Sequence, residues 1–277
     1  MSVHWQTTRF RIDLDRPKVM GIVNITPDSF SDGGRSTAAS IAHCRQLLDE
    51  GADLLDLGGE STRPGSLPVS LDEELARVLP VLDVALTLGC PISVDTNKPE
   101  VMRAVLERGA DIINDIHALQ SPGAVDAVAL HPDCGVCLMH MRGDPATMQQ
   151  RPHYDDVLGE VADFLRERMG VLQAHGIATD RIVLDPGIGF GKSVAHNVDL
   201  LRRQRELLAL GRPLLAGWSR KSTLGTLTGR GVSERQSASV AAALAAVHLG
   251  ARIVRVHDVA ATVNALKVFE AAGLLNG

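Results

Sequence analysis

Polar side chains stand at intervals along this chain, each directly behind a short apolar run. In order they are Asn24, Asp56, Asp95, Asn114 with Asp115, His140, Asp185, Ser219, and His257 with Asp258. A lone Asp in such a place is ordinarily a turn or a helix cap. Eight polar endings behind eight runs point instead to one barrel mouth where residues distant in sequence become neighbours, with Asp56 and Asp115 expected to remain structural. The segments behind three of these runs are rich in residues that bind anions or cap helices. They are Asn24-Ile-Thr26-Pro27-Asp28-Ser29-Phe30-Ser31-Asp32-Gly33-Gly34, Gly58-Gly59-Glu60-Ser61-Thr62-Arg63-Pro64-Gly65 and Ser219-Arg220-Lys221-Ser222. Long Gly/Pro/Ser loops of this kind read as lids over a binding site.

Two other patterns carry less than they promise. Gly187-Ile188-Gly189-Phe190-Gly191-Lys192-Ser193 approaches a phosphate-binding P-loop, but that spacing requires glycine at 186, where Pro186 stands. Cys134-Gly135-Val136-Cys137 has the spacing of a redox or zinc pair, yet it runs into an apolar segment with no second pair nearby. Core packing accounts for it better.

The elements that must position these residues repeat one grammar: apolar run, polar cluster, helical stretch. The runs are Val19–Val23, Leu54–Leu57, Ile92–Val94, Ile112–Ile113, Val136–Met139, Ile182–Leu184, Leu214–Ala216 and Ile253–Val256. Short and rich in Val and Ile, they suit strands buried on both faces, as in a parallel sheet. Ser70-x-x-Glu73 and Ser233-x-x-Gln236 predict capping boxes at helix starts. Val157, Val161, Phe164, Leu165 and Leu172 recur at helical spacing, and Gly51-Ala52-Asp53, Gly109-Ala110-Asp111 and Gly250-Ala251-Arg252 each stop a helix before a run. Eight such units predict an α/β fold, a (β/α)₈ TIM barrel whose long βα loops gather at the C-terminal mouth. Trp5 to Leu14 predicts a short N-terminal hairpin under the barrel bottom.

A length of 277 residues, 45% hydrophobic, fits one barrel domain over 1–277. The net charge of −5 and the lack of a Lys/Arg run argue against a nucleic-acid or anionic-membrane surface. Four scattered cysteines do not make a disulfide framework. Met1 to Arg11 does not read as a signal peptide, and Ser237 to Leu249 is too short an apolar stretch for a membrane span, so a cytoplasmic location is expected.

At this point the sequence resembles the dihydropteroate synthase family of pterin-binding barrels, from Val19 to about Phe269. The resemblance lies in Met20 to Gly34, Gly58 to Gly65, Ser93-Val-Asp-Thr96, Ile113-Asn-Asp115, Leu138-Met-His-Met141, Asp185 to Lys192, Ser219 to Ser222 and Arg255-Val-His257, in shared order and spacing. It implies condensation of 6-hydroxymethyl-7,8-dihydropterin pyrophosphate with p-aminobenzoate, giving dihydropteroate and pyrophosphate. Lys221, Asp185, Arg255, His257 and Asp95 are the implied catalytic residues. With Asn24, Thr62, Asn114, Ile116, Met139, Phe190 and Gly217 they would bind the pterin pyrophosphate. Phe30, Thr62, Arg63, Pro64, Phe190, Lys221 and Ser222 would form the p-aminobenzoate pocket, and Asp32 and Arg63 would serve loop closure. Asn24 would also ligate Mg²⁺, the implied cofactor, and late helices would form a homodimer. Arg142, His117 and Trp218 depart from the family's commoner residues, and none of them replaces a catalytic group. No insertion flanks Thr62-Arg63-Pro64, so competition by sulfonamides is expected. A corrinoid-dependent pterin methyltransferase and a non-catalytic pterin-binding paralogue are the alternatives. The first would not need the loops at Thr62-Arg63-Pro64 and Ser219 to Ser222, and the second should have lost a lid or phosphate residue.

Overall fold

Each predicted apolar run forms a strand, and the intervening segments return over the outside as helices. The computed structural model describes residues 3–25, 36–63 and 65–275. Phe30, Asp32 and Pro64 lie outside the described residues. In chain order the elements are β1 (His4–Gln6), β2 (Arg11–Asp13), β3 (Lys18–Asn24), α1 (Ser36–Asp49), β4 (Leu54–Gly58), α2 (Leu71–Ala85), β5 (Ile92–Asp95), α3 (Pro99–Glu107), β6 (Ile112–Asp115), α4 (Ala124–Ala129), β7 (Gly135–Met139), α5 (Val157–Ala174), β8 (Ile182–Asp185), α6 (Val194–Arg202), β9 (Leu214–Ala216), α7 (Ser222–Thr228), α8 (Gln236–His248), β10 (Ala251–Val256) and α9 (Val259–Ala271). Strands β3 to β10 close in sequence order into a parallel barrel, with β10 pairing both β9 and β3.

Alternation along each strand sorts side chains into two shells. Outward residues such as Val19, Val23, Leu55, Leu57, Val94, Ile113, Val136, Leu138 and Leu184 pack against the helices in one large core. Inward residues Met20, Leu54, Ile112, Cys137, Val183, Leu215 and Ile253 form a separate floor cluster with Trp5, Ile12 and Leu14. β1 and β2 are the expected hairpin, and it plugs the bottom: Trp5 is fully buried and donates from Nε1 to the Arg181 carbonyl at 2.9 Å. Cys134 packs in the outer core and Cys137 in the floor. The two thiols therefore face different shells, and both are free.

The helix stops read from the sequence are realised. Gly51, Gly109 and Gly250 take φ of 98°, 97° and 100°, the left-handed turn that a Cβ would strain. Ser70 accepts from the Glu73 backbone N–H at 3.3 Å, but the Glu73 carboxylate turns to Arg77 and leaves the box half made. The box expected at Ser233 does not form. Val232–Glu234 is a 3-10 turn in which Glu234 accepts from the Gly231 N–H, and α8 begins only at Gln236. A capping box not foreseen starts α6, between Ser193 and His196. Among the described residues no helix is long and apolar enough to cross a membrane.

Candidate active site

The inward alternation that builds the floor places polar residues one step higher on the same strands. Register sets Asn24 beside Gly58, Gly58 beside Asp95, Asp95 beside Asn114, and Met139 beside Asp185. Arg255 of β10 reaches across, donating from Nε to Asp56 Oδ2 at 2.6 Å and from Nη2 to Asp95 Oδ2 at 2.8 Å. Asn114 Nδ2 donates to the same Asp56 oxygen at 3.2 Å. Arg255 and Asn114 are thus joined through Asp56, which the sequence reading had set aside as structural, and Arg255 in turn holds Asp95. Its place in Leu54-Leu-Asp56-Leu-Gly58 carried the signal, because alternation from Leu54 puts it inside the barrel.

Burial pushes Asp95 up to about 7 against the pull of Arg255. It also raises Asp185, with the Gly187 N–H (2.7 Å to Oδ1) and Lys221 acting the other way. Burial opposes the charge on Arg255, but Asp56 and Asp95 outweigh it and hold its pKa above the usual value. Lys221 is lowered to about 8, first by burial and then by Arg255. Its ammonium sits 4.0 Å above the Phe190 ring centroid, a cation–π contact.

Ile116, Met139 and Phe190 form one apolar cluster, as expected, and Met148 and Met141 complete it. Gly217 follows β9, and a Cβ there would lie 3.9 Å from Asp185 Oδ2, so the glycine keeps room beside that carboxylate. His257 is lowered to about 3 by burial and by Arg255, so it stays neutral. Ser219 Oγ accepts from the His257 backbone N–H at 3.1 Å and lies 2.9 Å from Nδ1. With the hydroxyl donating to Nδ1, the ring keeps its proton on Nε2 as a donor.

Of the residues expected to hold p-aminobenzoate, Thr62 is half-buried and Arg63 exposed. Arg63 is close enough to help lower both Lys221 and His257. Ser222 is exposed at the first position of α7, where a helix start was expected.

Three residues stand apart from the site, and a fourth, His117, borders it. Asp115 points away from the barrel axis and accepts from the His117 and Leu119 N–H groups at 2.8 Å each, the expected structural role. His140 also faces outward, packed near Tyr154 and Phe164 with Nδ1 2.8 Å from Lys192 Nζ. Trp218 is buried in the outer core. His117 lines an open cleft of about 260 Å³ with Gln120, Asp144 and Phe164, bordering Ile116.

A family profile described as pterin binding enzyme matches residues 20–257. The dihydropteroate synthase of Neisseria meningitidis serogroup B is 56% identical over 278 residues, with 98% of each chain covered. The chain belongs to the dihydropteroate synthase family. A solved Xanthomonas albilineans dihydropteroate synthase with 4-aminobenzoic acid superposes with a TM-score of 0.93 at 52% identity, covering 99% of both chains. A Burkholderia cenocepacia dihydropteroate synthase complexed with 7,8-dihydropteroate superposes at 0.91 and 50% identity, covering 98% of this chain and 97% of that one.

Two further devices hold the mouth of this dihydropteroate synthase barrel, and the sequence reading missed both. Lys192 is 2% exposed and donates to the carbonyls of Gly187 (3.0 Å), Phe190 (3.1 Å) and His140 (3.2 Å). It ties down the loop that carries Phe190, and burial lowers it to about 7. Lys98 bridges Glu60, at the root of the Thr62 loop, and the buried Glu74 of α2.

Mg²⁺ holds several waters and takes few protein ligands when a phosphate shares it. Among the described residues no group of three or more His, Cys, Asp or Glu could hold a metal on its own. Asn24, with one amide oxygen at the end of β3, fits an ion carried largely by water and pyrophosphate.

Proposed function

We propose that this chain condenses 6-hydroxymethyl-7,8-dihydropterin pyrophosphate with p-aminobenzoate to form 7,8-dihydropteroate and pyrophosphate. The observation that carries the reading is the gathering of Asp95, Asn114, Asp185 and Arg255 from strand ends, with Lys221 from the loop after β9, above an apolar wall. A flat pterin displays fixed donors and acceptors. Asp185 keeps Oδ1 on the Gly187 N–H and presents Oδ2 beside Gly217 to the ring's guanidine-like N–H edge, where a carboxylate accepts charge-assisted bonds. Asn114 spends one amide N–H on Asp56, which leaves its side-chain carbonyl to accept and its second N–H to donate. Lys221 donates to the acceptor side, and Ile116, Met139 and Phe190 flank the ring.

In the reaction the arylamine nitrogen forms a bond to the pterin methylene carbon. The C–O bond breaks with its electron pair leaving on pyrophosphate, and the ammonium proton passes to water or to the departing pyrophosphate. The free amine is already nucleophilic, so the site's task is to stabilise the leaving charge. Asp56 and Asp95 fix Arg255 through Nε and Nη2, so Nη1 remains to meet the pyrophosphate beside the Nε2–H of His257. Mg²⁺ held at Asn24 would supply further neutralisation of the leaving oxygens. Thr62, Arg63, Phe30 and Pro64, with Ser222, would hold p-aminobenzoate, and Asp32 and Arg63 would help exclude water on closure. Sulfonamides would compete for that pocket. The enzyme would work in the cytoplasm as a homodimer, an assembly that sedimentation tests.

Purified protein given both substrates and Mg²⁺ should release pyrophosphate only when p-aminobenzoate is present. A methyltransferase would release none, and a silent paralogue would bind the pterin without turnover. Either result would replace this reading.

A further inference from the structure

The loop that delivers Lys221 contains a backbone conformation that its own residues do not favour. Arg220 has φ of 58°, in the left-handed region that side chains other than Gly, Asn and Asp rarely adopt. Such a conformation persists only where the surroundings over-determine it. Here both backbone polar groups of Arg220 are held by the start of α8. Its N–H donates to Ser239 Oγ at 2.9 Å, and its carbonyl accepts from Arg235 Nη1 at 3.1 Å. Ser239 is 3% exposed, and its hydroxyl donates in turn to the Arg235 carbonyl at 2.7 Å. The Arg235 guanidinium lies flat against α7, so close that a Cβ at Gly225 would meet it at 2.2 Å, and its Nε donates to the Arg230 carbonyl at 3.1 Å. From the other side, the Arg220 side chain forms a forked pair with Asp258 at 3.1 and 2.7 Å, next to the pairing of Ser219 with His257.

We infer that Ser239 and Arg235 are positioning residues that hold Arg220 left-handed and so aim Lys221 into the mouth. They touch neither the proposed substrates nor the reacting atoms. A right-handed or extended Arg220 would swing the following residue, and with it the Lys221 ammonium, away from the Phe190 ring. The inference rests on the proposed condensation only for its kinetic consequence, since the placement of Lys221 is a property of the free protein.

A double-mutant cycle tests it, because glycine adopts the left-handed turn without strain. Ser239→Ala should lower kcat about tenfold, as expected when a strained conformer loses the contact that holds it. In the Arg220→Gly background the same substitution should cost less than about twofold, since the turn no longer needs the clamp. The thermal midpoint should move equally in both backgrounds. An arm independent of turnover reads acylation of Lys221 against the exposed Lys267 by peptide mass spectrometry. Ser239→Ala should raise that ratio severalfold, and Arg220→Gly in the same chain should return it. Equal kinetic costs in the two backgrounds, or a labelling ratio that Ser239→Ala leaves unchanged, would overturn the inference. Absence of wild-type turnover would remove the condensation reading instead, and the labelling arm would still decide where Lys221 is held.

Discussion

The two ends of this barrel are built from the same strands and obey opposite rules. At the floor, Leu54, Ile112, Cys137, Val183 and Ile253 close on Trp5 and Leu14 in an apolar plug. The charges near it are consumed by one another: Arg9 pairs with Asp111 at 2.6 Å, and Asp111 also accepts from the Ile92 N–H at 2.8 Å. Two residues further along the same strands stand Asp56, Asn114, Met139, Asp185 and Arg255. There Asp56 Oδ1 is buried without a partner among the described residues, Asp95 is raised to about 7 and Lys221 is lowered to about 8. One two-residue step, about 6.6 Å of strand, separates an apolar plug, whose Ser93 Oγ two residues below Asp95 is buried without a partner among the described residues, from a layer of carboxylates, amides and cations. The floor is closed by apolar packing, and the polar side chains gather at the mouth.

Arg255 is where this division should break. Arg255→Met would remove the donor shared by Asp56 and Asp95, so it should abolish turnover and also destabilise the fold by about 3–5 kcal/mol, as breaking a buried pair does. Denaturant unfolding beside a kinetic assay would show both losses. Trp5→Ala at the floor should cost about 3–5 kcal/mol of stability while the folded fraction keeps a kcat near wild type. Lys221→Ala should do the reverse, lowering kcat about 10²–10³-fold with no loss of thermal midpoint. pH should then sharpen the contrast within one residue. The protonated Lys221 is the donor, so turnover should fall as pH rises through about 8. Its folded pKa lies below its ordinary 10.5, so the native state binds fewer protons than the unfolded chain between these values. Its contribution to stability therefore grows as pH rises from about 8 to 10.5 and is lost as pH falls back through 8. Opposite slopes of activity and stability in that window, both absent in Lys221→Met, are the expected result. The smallest effect on kcat should come from Asp115→Asn, which keeps an acceptor for only one of the His117 and Leu119 N–H groups and so should cost stability without reaching the mouth. Its kcat should stay within about twofold of wild type, as for substitutions away from the reacting groups.

Most of the barrel was legible because burial on both faces leaves a mark in composition: each of the eight short runs read as strands became one. Glycines at 51, 109 and 250 were legible for a similar local reason, since only a left-handed stop fits there. The start of α8 was not, because Glu234 found a nearer N–H at Gly231 than a helix at Ser233 could offer. At the mouth, residues ending strands could be recognised singly, but their partners could not. The Asp56 contact with Arg255 spans 199 positions: alternation puts Asp56 inside the barrel but does not say which cation it meets there. Lys192 was hidden by a failed resemblance to a phosphate loop. Its ammonium instead ties together three carbonyls of the loop fold, a role that depends on how the chain turns and not on spacing.

The division between floor and mouth stands most directly on Asp185. Equilibrium binding of dihydropterin pyrophosphate to the wild-type protein and to Asp185→Asn, with thermal unfolding of both, measures it. The account predicts that Asp185→Asn loses about a hundredfold or more in affinity, as when a charge-assisted pair of bonds is removed, and keeps its thermal midpoint. Undiminished binding by Asp185→Asn, or a loss explained by unfolding, would contradict it.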